Sequence, residues 1–186
     1  PLESDIRSAV QEGVPVYALI RSRAGHFTYD EAEWQRMTHQ IEASLSAGAS
    51  RVVVGALDQR GRFELERIRK WVELFGGHRL VIHRALDASN RWDDDAQALR
   101  TLGISRILSS GGEAQAWDGR QRIDQLLEWG FDVTVASGVR PDQKEDWLKR
   151  GVRNFHASCR VEESLPVRHF DGATFPVSSE HVRAWF

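Results

Sequence analysis

Sulfur is scarce in this sequence: one cysteine, Cys159, and one methionine, Met37, in 186 residues. A lone cysteine excludes an internal disulfide and suits a reducing compartment, so a cytoplasmic location is expected. It also leaves the chain poor in soft, sulfur metal ligands. No apolar run approaches the ~20 residues that cross a bilayer. The opening Pro1-Leu2-Glu3-Ser4-Asp5 is polar, and no signal peptide is expected there. Neither sign of charge dominates, since 25 Lys and Arg against 27 Asp and Glu give a formal net charge of −2. Nucleic acid and anionic membranes, which select basic faces, are therefore not expected partners. No low-complexity segment or linker interrupts the body, and the length fits one domain with a substantial core.

What the sequence does hold is a repeated unit: a short apolar run, a polar loop, then a helical period closed by glycine. Strands are predicted over Val14–Ile20, Arg51–Leu57, the Leu80–Asp87 stretch with its regular part ending at His83, Ser105–Leu108, Phe131–Ala136 and Val152–His156. Helices are predicted over Leu2–Glu12, Asp30–Ala47, Glu64–Phe75, Asp93–Leu102, Asp118–Trp129 and Pro141–Arg150, with Asp30 and Glu33 spaced as a capping box. Gly13, Gly48, Gly76, Gly103 and Gly130 supply the stops. The seven tryptophans are expected as packing beneath these helices. After Val161 the pattern dissolves. Residues 162–186 read as a tail on the barrel or on a partner, with a last helical turn near Ser179–Phe186.

Continuous apolar strands alternating with helices predict a parallel sheet with both faces covered. The sheet can stay open and doubly wound, or curl into a barrel. An open sheet gathers its polar strand ends at one switch point. Here they are spread over all six strands, which favours a TIM-type (β/α) barrel, incomplete because six strands fall short of eight.

The stretch Leu80-Val81-Ile82-His83-Arg84-Ala85-Leu86-Asp87 shows how the strands end: buried apolar residues, then three titratable groups. In parallel folds such ends carry ligands. Arg21, Arg23 and Arg84 at neighbouring ends suit a phosphate or carboxylate. Ser110-Gly111-Gly112 and Ser137-Gly138 offer backbone N–H groups to the same anion. His83 and His156 are candidate general acids or bases, with Asp87 orienting one of them or pairing with Arg84. The competing reading makes Arg84 and Asp87 a salt-bridge plug. No lysine stands at a strand end, which argues against Schiff-base chemistry, and no carboxylate cage awaits Mg²⁺. As metal ligands, His26, His83 and His156 form a candidate imidazole site. Cys159 joins His156 only if the chain turns at Ser158, and a lone cysteine is more often a small buried hydrophobe. A third reading is a non-catalytic assembly module that meets its partner through exposed sheet edges and the Ala184-Trp185-Phe186 end.

Five stretches, in order along the chain, resemble one family. Ala18–Tyr29 (ALIRSRAGHFTY) is similar to the "MIRPRGGDFxYS" motif of the CutC copper homeostasis proteins. Gly48–Leu57 resembles "GADGVVxGxL", Ile82–Asp87 "FHRAFD", Arg106–Gly112 "RILTSGG", and Phe155–Ser158 "FHAS". The resemblance runs from about Val14 to Val161. It implies a TIM-type barrel, a role in copper homeostasis and copper as a possible ligand. By that alignment the chain lacks the family's first two strands, where its frequent cysteines lie. Ser22 replaces the usual proline, His26 the usual aspartate, and Val135–Val139 a Gly-rich loop. Two parallel edges would be left open, a pairing hazard. A homo-oligomer, a complement supplying the missing strands, or the tail is expected to cover them.

Overall fold

The computed structural model describes residues 2–160, 163–164, 173–174 and 176–186. Six strands form one sheet: β1 (Tyr17–Leu19), β2 (Arg51–Val54), β3 (Leu80–Ile82), β4 (Arg106–Ser109), β5 (Asp132–Ala136) and β6 (Asn154–His156). They lie in chain order with every neighbouring pair parallel. A doubly wound sheet reverses its strand order at the switch point, and a barrel does not. The order therefore selects the barrel. Helix α1 (Glu3–Gln11) precedes β1, and α2 (Glu31–Ser46), α3 (Leu65–Phe75), α4 (Trp92–Thr101), α5 (Arg120–Glu128) and α6 (Lys144–Lys149) connect successive strands.

Alternation along each strand sorts the side chains into two environments. Ala18, Val52, Val54, Leu80, Ile82, Ile107, Val133 and Val135 belong to the core beneath the helices. Leu19, Val53, Val81, Leu108 and Thr134 point the other way and line a shared concavity. The sheet curls far enough for Arg106 on β4 to donate to the Tyr17 hydroxyl on β1. The result is an incomplete TIM-type barrel whose interior face is open.

Local chemistry explains the element ends. The ladder of β1 starts later than the apolar pattern implies, because Pro15 has no N–H and the Val14 N–H closes α1 onto the Ala9 carbonyl. Strand β2 stops at Val54, and Leu57 then pairs with Phe63 around the Asp58–Gly61 turn. The capping box on α2 is complete: Glu33 N–H donates to Asp30 at 2.8 Å and Asp30 N–H to Glu33 at 3.0 Å.

All seven tryptophans sit in aromatic pairs, and three of these pairs staple neighbouring helices. Trp34 meets Trp71 (α2 to α3) at 4.7 Å, Trp92 meets Trp129 (α4 to the end of α5) at 5.7 Å, and Trp117 meets Trp147 (before α5 to α6) at 5.3 Å. Each such contact contributes about 0.5–1.5 kcal/mol beyond its buried area.

Much of the expected tail, 162–186, lies outside the described residues. Within the described part, β7 (Glu163–Ser164) pairs antiparallel with β8 (Ala173–Thr174), and α7 covers Ser179–Arg183. Trp185 packs on Phe155 of β6 at 5.3 Å, and its carbonyl accepts from Lys144. Among the described residues no helix is long and apolar enough to cross a membrane.

Candidate functional site

The concave face encloses a cavity of about 630 Å³ that reaches all six strands. Its wall is apolar along the middle, with Leu19, Val53, Val81 and Leu108. At the carboxyl end of the strands stand Arg21, Phe27, His83, Arg84 and His156; at the other end stand Arg106 and Arg153. Among the described residues no carboxylate lines it. The strand ends thus bring Arg21, Arg84, His83 and His156 to one cavity, as the barrel geometry predicts. Ser110 and Ser137 lie behind it, against Arg84.

Arg84 is committed to the protein itself. Strand pairing continues through His83, whose N–H donates to Val54 O at 2.9 Å, and the chain then turns, with a 3₁₀ turn over Leu86–Ala88. That turn swings Arg84 in. Its Nε donates to Asp87 Oδ2 at 2.9 Å, Nη1 to Ser137 Oγ at 2.6 Å, and Nη2 to Ser110 Oγ at 2.9 Å and the Glu113 carbonyl at 3.2 Å. Four of its five N–H groups are thereby used.

Asp87, nearly buried, collects the rest. It accepts from the N–H of Ser110 at 2.9 Å, the N–H of Gly112 at 3.3 Å and the Ser109 hydroxyl at 2.5 Å. The Ser110-Gly111-Gly112 loop is an anion cradle, as its sequence implies, but the anion it holds is Asp87. Close approach requires the glycines there: a Cβ on Gly111 would stand 2.1 Å from the Gly119 carbonyl oxygen. Of the groups expected to meet an external anion, the Ser110 and Gly112 N–H groups meet Asp87, the Gly111 N–H meets the Ser109 hydroxyl, and the Ser137 hydroxyl accepts from Arg84. Gly138 turns against Gln115 and is not on the cavity wall. Asp87 pairs with Arg84 rather than orienting a histidine.

Arg23, expected at the anion site, has an internal task and is not on the cavity wall. Nε pairs with Glu33 at 2.9 Å, Nη1 donates to the His26 carbonyl at 3.2 Å and Nη2 to the Thr28 carbonyl at 2.7 Å. It pins the loop after β1 to the start of α2. Glu33 is held ionised below its usual range chiefly by the Asp30 N–H, with Ser22 and Arg23 helping. The His26 ring belongs to the same loop knot, its Nδ1 facing Arg23 and the Thr28 N–H, and it is not on the cavity wall.

Arg21 and His83 remain. Arg21 stacks on Phe27, its Cζ 4.6 Å from the ring centroid, and Nη2 donates to the Gly25 carbonyl. Its Nε is buried, the buried Tyr29 hydroxyl lies beside the guanidinium, and neither of these two atoms completes a hydrogen bond among the described residues. Close by, burial raises the Tyr29 phenol above its ordinary pKa, and Arg21 works against that rise. His83 is 5 % exposed, and its ring centroid lies 5.1 Å from Phe27. Its Nδ1 accepts the Ala85 N–H at 3.1 Å, which places the proton on Nε2. Nε2 is buried and unpartnered. Burial first, and Arg21 second, push the imidazole pKa down to about 4, so the ring is neutral near pH 7.

Sequence reasoning passed over two residues that make this arrangement. Phe27 is the ring on which both Arg21 and His83 rest. Gly55 leaves room for His83, since a Cβ there would lie 2.7 Å from Nδ1. The break that Gly55 makes in an otherwise β-branched run is the signal that could have revealed it.

The metal candidates do not converge. Among the described residues no three His, Cys, Asp or Glu side chains form a group able to hold a metal ion. His156 is exposed on β6, and His26 is tied to its own loop. Cys159 has a positive φ of 50° and lines a separate pocket with Trp185 that does not include His83. Met37 is fully buried beneath α2. With one thiol and one core thioether, these residues do not fit a Cu(I) site.

Comparisons with known proteins agree with this architecture. The CutC family model matches residues 1–161. A "family protein CutC" of Xanthomonas campestris pv. campestris (strain 8004) is 36 % identical over 154 residues, covering 79 % of this chain and 63 % of its own length. The "family protein CutC" of Pectobacterium atrosepticum is 32 % identical over 158 residues, covering 84 % of this chain and 63 % of its own. The chain thus spans under two thirds of the length of these curated relatives. The crystal structure of the "Putative Copper Homeostasis Protein CutC" from Streptococcus agalactiae superposes with a TM-score of 0.76 at 26 % identity, covering 84 % of this chain and 80 % of that one. With the family motifs in place on a six-stranded curl of the matching fold, this chain belongs to the CutC family.

Proposed function

We propose that this chain takes part in cytoplasmic copper homeostasis, the role carried in the name of its S. agalactiae relative, and that its own site binds a small organic anion rather than Cu(I). The observation that carries the second half is the cavity: arginines and histidines at its ends, apolar residues between, and no carboxylate from the described residues in its wall. Such a wall attracts negative charge and shelters an apolar body. Of the mouth arginines, Arg84 is neutralised by Asp87, while Arg21 has no carboxylate partner among the described residues and supplies the charge. The sheet edges at β1 and β6, which have no further strand among the described residues, belong to the same reading, as the place where a second copy or further strands close the barrel.

The experiment is titration of propionate and inorganic phosphate into the protein, followed by amide chemical shifts, in wild type and Arg21→Met. Saturable binding of an anion is expected, weaker at high salt and at least about tenfold weaker in Arg21→Met, since a charged hydrogen bond contributes ~1.5–3 kcal/mol. Equal affinity in both proteins, or no saturable binding of either anion, refutes the reading. A parallel competition against a Cu(I) chelator should reveal no stoichiometric tight site; nanomolar Cu(I) binding abolished by Cys159→Ser overturns that half.

A further inference from the structure

The anion-binding reading leaves the ligand's chemistry open, and two buried donors narrow it. Arg21 Nε and His83 Nε2 both lack a partner among the described residues, and both groups rest on the same Phe27 ring. A buried polar atom without a partner costs free energy, and a ligand that supplies the acceptor recovers it.

The two donors differ in kind. Arg21 brings a full positive charge. His83 brings none: its Nδ1 is fixed as an acceptor by the Ala85 N–H, so Nε2 offers a neutral N–H. The site therefore complements one anionic group and one uncharged acceptor. The charge balance at the mouth points the same way. The backbone cradle suited to a phosphate dianion is filled by Asp87, and Asp87 also cancels Arg84. At this end of the strands Arg21 is then the guanidinium on the cavity wall without a carboxylate partner among the described residues, which matches a monoanion. The wall beyond it, from Leu19, Val53 and Val81, suits a short hydrocarbon portion.

We propose, resting on the anion-binding reading, that the ligand is a short hydroxy- or oxo-acid, its carboxylate on Arg21 and its neighbouring uncharged oxygen accepting the Nε2–H of His83.

Lactate and propionate differ by the one hydroxyl in question, and inorganic phosphate serves as the dianion control. On the wild-type protein, lactate should bind about tenfold more tightly than propionate, the worth of one buried hydrogen bond, and phosphate more weakly than lactate. The His83 Nε2–H resonance should shift with lactate and stay in place with propionate. In His83→Phe the lactate advantage should vanish while propionate binding persists, and His83→Gln, which keeps an N–H donor, should restore part of it. Equal binding of lactate and propionate by the wild type overturns this inference and leaves the anion-binding reading standing, as does tighter binding of phosphate than of lactate. Failure of all three anions to bind brings down the anion-binding reading itself. The wild-type comparison needs no variant, so a poorly folded His83 substitution does not blunt the test.

Discussion

Replacing Arg84 separates its structural role from ligand binding. Arg84→Ala removes four hydrogen bonds and leaves Asp87, whose side chain is 5 % exposed, without its cation. Breaking a fully buried pair from one side costs about 3–5 kcal/mol. Arg84 is itself 39 % exposed, so solvent already screens the pair, and Asp87 keeps the Ser110 and Gly112 N–H groups. Discounting for that exposure gives roughly 2–3 kcal/mol. For a domain of this size that corresponds to a fall in Tm of about 5–10 °C. Asp87→Ala should cost slightly more, ~3–4 kcal/mol, because it strands two backbone donors as well as the guanidinium. Arg84→Lys should recover less than half of the loss, since an ammonium cannot reach Asp87, Ser110 and Ser137 together. Thermal and urea melts followed by circular dichroism measure these changes, and propionate titration of the same proteins measures binding. The expected pattern is a large stability loss with anion affinity nearly kept. An Arg84→Ala protein that melts as the wild type does but no longer binds anions would show that Arg84 serves the ligand and that the plug carries no energy.

Two further outcomes follow from His83 and its surroundings. Because the folded-state pKa of His83 lies near 4, below its ordinary 6.5, the unfolded chain takes up a proton first as pH falls. Its contribution, about 3 kcal/mol, is fully present above pH 6.5 and lost progressively down to about pH 4. Urea midpoints across that range should fall with acid, and the slope should flatten in His83→Gln; an identical slope in both proteins rules the linkage out. Gly55→Ala places a Cβ 2.7 Å from His83 Nδ1 and 3.0 Å from the Ala85 Cβ, and should destabilise by about 1–3 kcal/mol. An unchanged urea midpoint would mean that His83 does not depend on that space.

The fold was legible because its causes are local and periodic. Apolar runs of strand length, glycine stops such as Gly48 and Gly130, and the Asp30–Glu33 box each act within a few residues, and the structure uses them where the spacing puts them. The site was legible only as a set of strand ends. Which end groups face a ligand depends on contacts between residues far apart in sequence. Arg84 meets Ser110 and Ser137, 26 and 53 positions on, and those contacts consume the donors that an isolated motif seems to offer. The Ser110-Gly112 loop has the composition of an anion cradle and serves as one, but nothing in a linear reading says that Asp87 fills it. The reverse holds for His83. In sequence it is one histidine among seven; in the fold, Gly55 beside it, Phe27 against it and Ala85 N–H on its Nδ1 fix its tautomer and leave Nε2 as a buried donor. Charged and polar residues at strand ends therefore mark a mouth. Sorting them into plug and ligand site requires counting each donor and acceptor against its partner, and at this mouth the buried donors left without one among the described residues are on Arg21 and His83.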